Sequence, residues 1–261
     1  MSDSQSLYVD RDTLVHRLDP RAKLALAAAL FVGAYAFLNP VVVAVPLALA
    51  LLAVVATGAL ANLLRLWFII VALFVVGLVV WPAFTPPAGP VVVDLPLVEI
   101  TRRQLTVSVA RSLRIVSFIV TGVAFVSTTS NEEIVRGLRG LGVPDAVCFA
   151  VGTALRLFPT FLGAAGTVRQ AQEARGLDLS ASNPIERLRK FVPLLIPVFM
   201  TAFRNVQTQA MALEARGFDT RRERTFYNEA SFDAVDWAAT GVSLVAIVAV
   251  VGLALSGVGQ Y

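Results

Sequence analysis

Two arginines at the same place in two copies of one short phrase are the residues of this chain best suited to chemistry. The copies are Glu173-Ala174-Arg175-Gly176-Leu177-Asp178 and Glu214-Ala215-Arg216-Gly217-Phe218-Asp219. A guanidinium is planar, permanently charged and carries five donors, which suits it to pockets that offer carboxylates or carbonyls. Arginine anchors in desolvated pockets often dominate interface energies. Two equivalent arginine tips suit a partner with two equivalent pockets. Bond-making chemistry has far less to work with. His16 and Cys148 are the only histidine and cysteine, which excludes a histidine cluster, a disulfide framework and a multi-cysteine metal site. The only lysines are Lys23 and Lys190, neither within a Gly-x-x-x-x-Gly-Lys-Ser/Thr phosphate loop. Acidic residues are scattered; Asp178 has no second carboxylate four residues on, and Asp219 has only Glu223 there. A membrane-embedded enzyme would need several such groups converging.

The arginines must be positioned by helix ends. Gly176 and Gly217 stand where amphipathic segments should stop, and glycine adopts a left-handed cap at little cost. That places Arg175 and Arg216 in the last helical turn, favoured by the negative end of the helix dipole. Taken singly, each Ala-Arg-Gly is simply a good helix ending. Upstream, Ser130-Asn131-Glu132-Glu133 reads as a capping box opening a short helix that ends within Gly140-Leu141-Gly142-Val143-Pro144. A long segment follows from Asp145 to Arg175, with Pro159 expected to bend it. Asn183-Pro184-Ile185-Glu186 offers a cap, a first-turn proline and a third-position glutamate. From there Ile185, Leu188, Val192, Leu195, Phe199, Phe203, Val206, Ala210 and Leu213 form an amphipathic stripe.

The rest of the chain is a membrane domain. Hydrophobic residues make up 57% of the 261 and the mean hydropathy is +0.74, outside the range of soluble domains. Five runs approach spanning length: Ala22–Leu38, Val41–Leu60, Leu66–Phe84, Leu105–Ser127 and Trp237–Leu255. Asn39-Pro40 makes the first two a hairpin. The mixed-charge segment Met1–Lys23 is too long and too acidic for a secretory leader, so the first run is expected to be an uncleaved anchor. Basic residues orient the spans. Four lie in Met1–Lys23, and thirteen, against nine acidic, in Asn131–Thr225. The expected topology is amino terminus inside, five crossings and carboxyl terminus outside. Arg102 and Arg103 run against it, in an outer loop 82–104 expected to be extended and ordered with a short strand. A net charge of +4 reflects this cytoplasmic bias rather than nucleic-acid binding. The apolar part of 191–203 is expected in or under the bilayer, a sixth crossing that flips the later topology being the alternative. Arg111 and Arg114 lie one turn apart inside the fourth span, where packing within the bundle competes with an ion path; Arg156 has the same ambiguity.

The ordered set of motifs resembles the transmembrane T component of energy-coupling factor transporters. It comprises Leu18-Asp19-Pro20-Arg21-Ala22-Lys23-Leu24, Thr128-Thr129-Ser130-Asn131-Glu132-Glu133, Leu141-Gly142-Val143-Pro144, Ala154-Leu155-Arg156-Leu157-Phe158-Pro159 and both Ala-Arg-Gly phrases. Asn131 departs from a position associated with proline. The resemblance implies an all-α membrane protein of about five transmembrane helices with long amphipathic coupling helices. Its regions would be 1–129 (tail and first four spans), 130–225 (coupling helices) and 226–261 (last span). It further implies a non-catalytic subunit in a prokaryotic plasma membrane that binds no cofactor, ATP and magnesium belonging to two cytoplasmic ATPase subunits. Each ATPase would receive one arginine, Arg175 or Arg216, with Ala174, Gly176, Ala215 and Gly217 allowing close approach. A small substrate-capturing membrane subunit would be the other partner, and the cargo a vitamin or a cobalt or nickel ion. A stand-alone channel or secondary transporter is the competing class.

Overall fold

The computed structural model describes residues 11, 13–95, 98–177, 184–218 and 232–256. Asn183, Asp178 and Asp219 lie outside the described residues. The chain forms helices α1 (Leu14–Arg17), α2 (Pro20–Ala36), α3 (Pro40–Thr57), α4 (Leu60–Arg65) and α5 (Trp67–Val80), the last continued by a 3-10 turn, Trp81–Phe84. A hairpin of β1 (Val91–Leu95) and β2 (Val98–Thr101) precedes α6 (Arg102–Thr128), α7 (Asn131–Gly140), α8 (Asp145–Ala174), α9 (Pro184–Ala215) and α10 (Ala234–Leu255). Two compact units result, one of Met1–Leu141 with Ala230–Tyr261, the other of Gly142–Glu229.

Local chemistry sets these boundaries. The Asp19 carboxylate accepts the Arg21 amide at 2.9 Å and Pro20 opens α2. Asn39 caps α3 in the same way, accepting from Val41 at 3.0 Å, so the Asn39-Pro40 hairpin is as expected. The outer loop does carry ordered extended structure, here two antiparallel strands with a register shift between Val91 and Val93. Gln104 fastens this loop, its amide donating to the Pro82 and Thr85 carbonyls at 3.1 and 3.0 Å.

The first unit is built around α6, against which α2, α3, α4 and α5 all pack. Its buried residues are mostly small: Ser108, Ala110, Ser112, Ser117, Thr121, Ser127 and Thr128. In lipid no hydrophobic effect drives helices together, and small residues let backbones approach. Gly77 of α5 shows how close, because a Cβ there would strike the Ser112 hydroxyl. Arg114 answers the question about its role by packing, not by an open path. It donates to the Ala34 and Phe37 carbonyls at 3.0 and 2.8 Å, satisfying the carboxyl end of α2, and lies 5.0 Å from the Tyr35 ring centre. Arg111 lies 4.5 Å from the Trp81 ring centre.

Among the described residues, five helices are long and apolar enough to cross a bilayer: Pro40–Thr57, Trp67–Phe84, Arg102–Thr128, Asp145–Ala174 and Ala234–Leu255. The protein is an all-α membrane protein. The number agrees with expectation, but the membership differs by one helix. At 17 residues, α2 is about 26 Å long and short of the ~30 Å hydrocarbon core, while α8 joins the set.

The starts of α2 and α10 are stapled together. Asp236 accepts the Asp19 amide at 2.7 Å with one oxygen and the Asp233 amide at 3.0 Å with the other. The far ends of the two helices also meet, Val32 and Ala36 lining one recess with Val251 and Leu255. Thus α2 and α10 run parallel. The start of α7 lies at this same end, because the Lys23 ammonium donates to the carbonyls of His16 and Thr128 at 3.0 and 2.7 Å and to Glu133 at 3.2 Å. The starts of α2, α7 and α10 thus lie together at one end of the first unit.

Lys23 is almost fully buried, and all its donors reach acceptors from three different elements. Lys23→Met would strand Glu133 and two carbonyls. The expected loss is about 3 kcal/mol, the lower end for breaking one partner of a buried pair. It would be read as a lowered unfolding midpoint in detergent, with Glu133→Gln losing less.

Candidate functional site

The second unit consists of α8 and α9, which pack on each other, and both Ala-Arg-Gly phrases close these helices. At the end of α8, the Leu177 amide donates to the Gln172 carbonyl at 3.0 Å and the Gly176 amide to that of Glu173 at 3.0 Å. At the end of α9, Phe218 donates to Leu213 at 2.9 Å and Gly217 to Glu214 at 2.9 Å. These are the six-to-one and five-to-two bonds of the Schellman motif, formed identically twice. Gly176 and Gly217 carry the required left-handed backbone, at φ +87° and +67°. A side chain with a Cβ pays about 1–2 kcal/mol there.

One expectation needs adjustment. Arg175 and Arg216 do not sit within the last helical turn but one residue beyond it, since α8 ends at Ala174 and α9 at Ala215. The physical reason is that the left-handed glycine must be the second residue past the helix for both Schellman bonds to close. Ala174, Arg175, Gly176, Ala215, Arg216 and Gly217 are all exposed. Each tip thus presents an arginine flanked by residues with little or no side chain. Behind the first tip, Arg169 and Glu173 form an exposed ion pair at 2.7 Å.

What sequence reasoning missed is how the two tips are related. The Phe149 and Phe218 rings are 4.5 Å apart between centres, joining the start of α8 to the end of α9. The Gln172 amide reaches the Pro193 carbonyl at 3.4 Å, joining the end of α8 to the first third of α9. The helices are therefore antiparallel. The shift that carries Arg175 onto Arg216 carries Gly163 onto Arg204, and these two residues lie at the midpoint of the antiparallel alignment. A local two-fold axis through that midpoint exchanges the tips. Each lies twelve residues from the centre, which separates them by roughly 35 Å at 1.5 Å per residue. The repeated phrase offered only the equivalence; the axis comes from non-local contacts, for which Phe218 beyond the second glycine was the available signal.

Outside the caps, α8 continues through Pro159 and α9 through Pro193 and Pro197. Arg156 and Arg204 are exposed in the unit, as are Phe199, Met200 and Phe203. Cys148 is buried and its thiol donates to the Val143 carbonyl at 3.5 Å. Among the described residues no cluster of three or more His, Cys, Asp or Glu could hold a metal.

Comparison with known proteins places these features in context. Residues 11–227 match the family described as cobalt transport protein. The chain is 30% identical, over 92% of its length and 92% of the relative's, to the energy-coupling factor transporter transmembrane protein EcfT of Acidaminococcus fermentans. The protein of the same description from Thermosediminibacter oceani is 30% identical over 89% of this chain and 90% of its own. That from Bacillus subtilis is 29% identical over 95% and 97%.

Cap and tip are separable by mutation. Gly176→Ala or Gly217→Ala should cost about 1 kcal/mol of stability through the left-handed backbone. Arg175→Ala or Arg216→Ala should stay within about 0.5 kcal/mol of wild type, as exposed substitutions usually do. Unfolding midpoints of the four variants in one detergent would check this.

Proposed function

Because the chain belongs to the cobalt transport protein family, as a transmembrane T component of energy-coupling factor transporters, we propose that its α8–α9 pair couples two ATPase subunits to a substrate-capturing membrane subunit. The observation that carries this reading is the pair of identical arginine tips exchanged by a local two-fold axis. Two ATPases that close on ATP about their own two-fold present equivalent grooves, and each groove takes one tip. Arg175 and Arg216 supply charge-assisted donors to acceptors in those grooves. Ala174, Gly176, Ala215 and Gly217 let the groove walls close on the backbone.

The reading requires both tips to face the cytoplasm. In an antiparallel pair that crossed the membrane, the tips would emerge on opposite sides. Were α8 to cross, α9, packed antiparallel to it, would have to cross back. α9 is not among the five helices with spanning length and apolarity, and Arg156, exposed on α8, would have to meet lipid or a partner there. The pair therefore lies along the inner surface of a prokaryotic plasma membrane, with thirteen basic residues in and around it. Its exposed Phe199, Met200 and Phe203 suit the bilayer and the apolar substrate-capturing subunit. Regions 130–225 would act as the coupler, between membrane regions 1–129 and 226–261.

On ATP binding, approach of the ATPases drives the tips together, and the rigid helices pass the motion to the capturing subunit. This chain does no chemistry in that cycle. ATP and magnesium stay on the ATPases, and the cargo, a vitamin or a cobalt or nickel ion, stays on the capturing subunit. The arginines that pointed toward a stand-alone channel, Arg111 and Arg114, are engaged by rings and carbonyls.

Two experiments test the proposal. ATPase subunits co-expressed with the chain should co-purify with wild type, weakly with either Arg175→Ala or Arg216→Ala, and not with the double variant. Retention by the folded double variant would overturn the docking assignment. Independently, with Cys148 replaced by alanine, single cysteines at 175 and 216 in inverted membrane vesicles should both react with an impermeant maleimide. Reaction of only one would put the tips on opposite sides and sink the in-plane arrangement.

A further inference from the structure

Beside α2 the first unit holds a cavity of about 450 Å³, the liquid volume of roughly fifteen waters at about 30 Å³ each. Helices α2, α3, α6 and α10 line it. The wall runs along α2 from Lys23 to Gly33, about 15 Å at 1.5 Å per residue, or half the ~30 Å hydrocarbon thickness. It is an elongated slot parallel to the helices, not a round pocket. Its lining is almost wholly apolar, so water has too few partners to fill it.

Two observations identify what does. Val45, Leu49 and Val242 line the slot yet are 57%, 54% and 67% exposed. The slot is thus continuous with the outward face of a protein that sits in a bilayer, and hydrocarbon chains are the solvent at its mouth. Four polar side chains also reach the wall: Lys23, Thr121, Thr128 and Ser243. Lys23 is satisfied as described, Thr128 donates to the Ala124 carbonyl at 2.8 Å and Ser243 to that of Ala239 at 2.7 Å. The Thr121 hydroxyl, in a residue 2% exposed, has no partner among the described residues. A buried donor without an acceptor is costly. The occupant should therefore bring an acceptor as well as an apolar body.

We propose that this slot is a binding site for one acyl chain of a membrane phospholipid, whose ester carbonyl accepts the Thr121 hydroxyl. The chain fills the gap between α3 and α10 on either side of α2, so that α10, which packs chiefly on α2, is held through lipid as well as protein. The proposal needs the bilayer but not the ATPase-docking assignment, and the two can fail separately.

The test uses the full chain in vesicles of phosphatidylethanolamine and phosphatidylglycerol, doped with a phosphatidylglycerol bearing a diazirine in one acyl chain. After photolysis, peptide mapping should find label concentrated on slot residues such as Leu26, Leu30 and Ala246 over the exposed Val248 and Leu253. Ala246→Phe should abolish the slot label, while Val248→Phe, on the outward face, should leave it. Label spread in proportion to exposure in wild type would overturn the proposal without recourse to any variant. So would loss of the slot label when partner subunits are co-expressed, because another protein's helix would then be the occupant. Native mass spectrometry of the same proteins should show phospholipid retained by wild type and lost from Thr121→Val; equal retention would remove the assigned hydrogen bond.

Discussion

Close approach of backbones to α6 is the constraint on which the membrane unit depends. Lipid is as apolar as leucine, so the helices gain little from hiding apolar side chains from it. What holds them is contact distance and the few polar bonds made at that distance. Serines and threonines along α6 keep the helix thin, and Gly77 lets α5 lie against Ser112. The Asn62 amide can then reach the Ser127 hydroxyl at 2.9 Å from a different helix. Larger residues in the same places would add contact area of little worth in hydrocarbon and remove the reach of these bonds.

The same economy explains where charge sits. Among the described residues of the first unit, three charged groups are spent on backbone at helix ends. Arg114 takes the last carbonyls of α2, Lys23 takes the last carbonyl of α6, and Asp236 takes the first amides of α2 and α10. Helix ends are where backbone groups lack intrahelical partners, and their exposure to hydrocarbon would be costly. Read in isolation, Arg111 and Arg114 in an apolar run look like a conduction path. The distinction lies in what lies opposite them: the end of a helix some eighty residues away in the chain for Arg114, and the Trp81 ring for Arg111.

That contrast marks what could be read from the residues alone. Features made within one turn of chain were legible: the Asn39-Pro40 hairpin, the Ser130–Glu133 capping box, the glycines after both arginines, the extended outer loop. Each depends on a side chain meeting backbone two to five residues away. The spans were legible where apolar length decides, and ambiguous where it hovers near the threshold, so that α2 fell short and α8 qualified. The antiparallel register of α8 and α9 was not legible, because it rests on Phe149 meeting Phe218 and Gln172 meeting Pro193. Nothing within either helix specifies its partner's register. The parallel course of α2 and α10 was hidden for the same reason, since it turns on Asp236 reaching Asp19 across more than two hundred residues.

Close approach also governs the last helix before the second unit. Helix α7 belongs to the first unit, held by Lys23 to Glu133 at its start and packed against Pro20 and Arg21 further along. At Gly137 a Cβ would lie 2.9 Å from that of Pro20, and at Gly140 it would meet the Arg21 guanidinium. Glycine in a helix interior is otherwise unfavourable by roughly 1 kcal/mol against alanine, a cost that Gly137 accepts for proximity to Pro20. Past these glycines Gly142 takes a left-handed backbone at φ +86°, which a residue with a Cβ would adopt at a cost of about 1–2 kcal/mol, and the second compact unit begins at that residue.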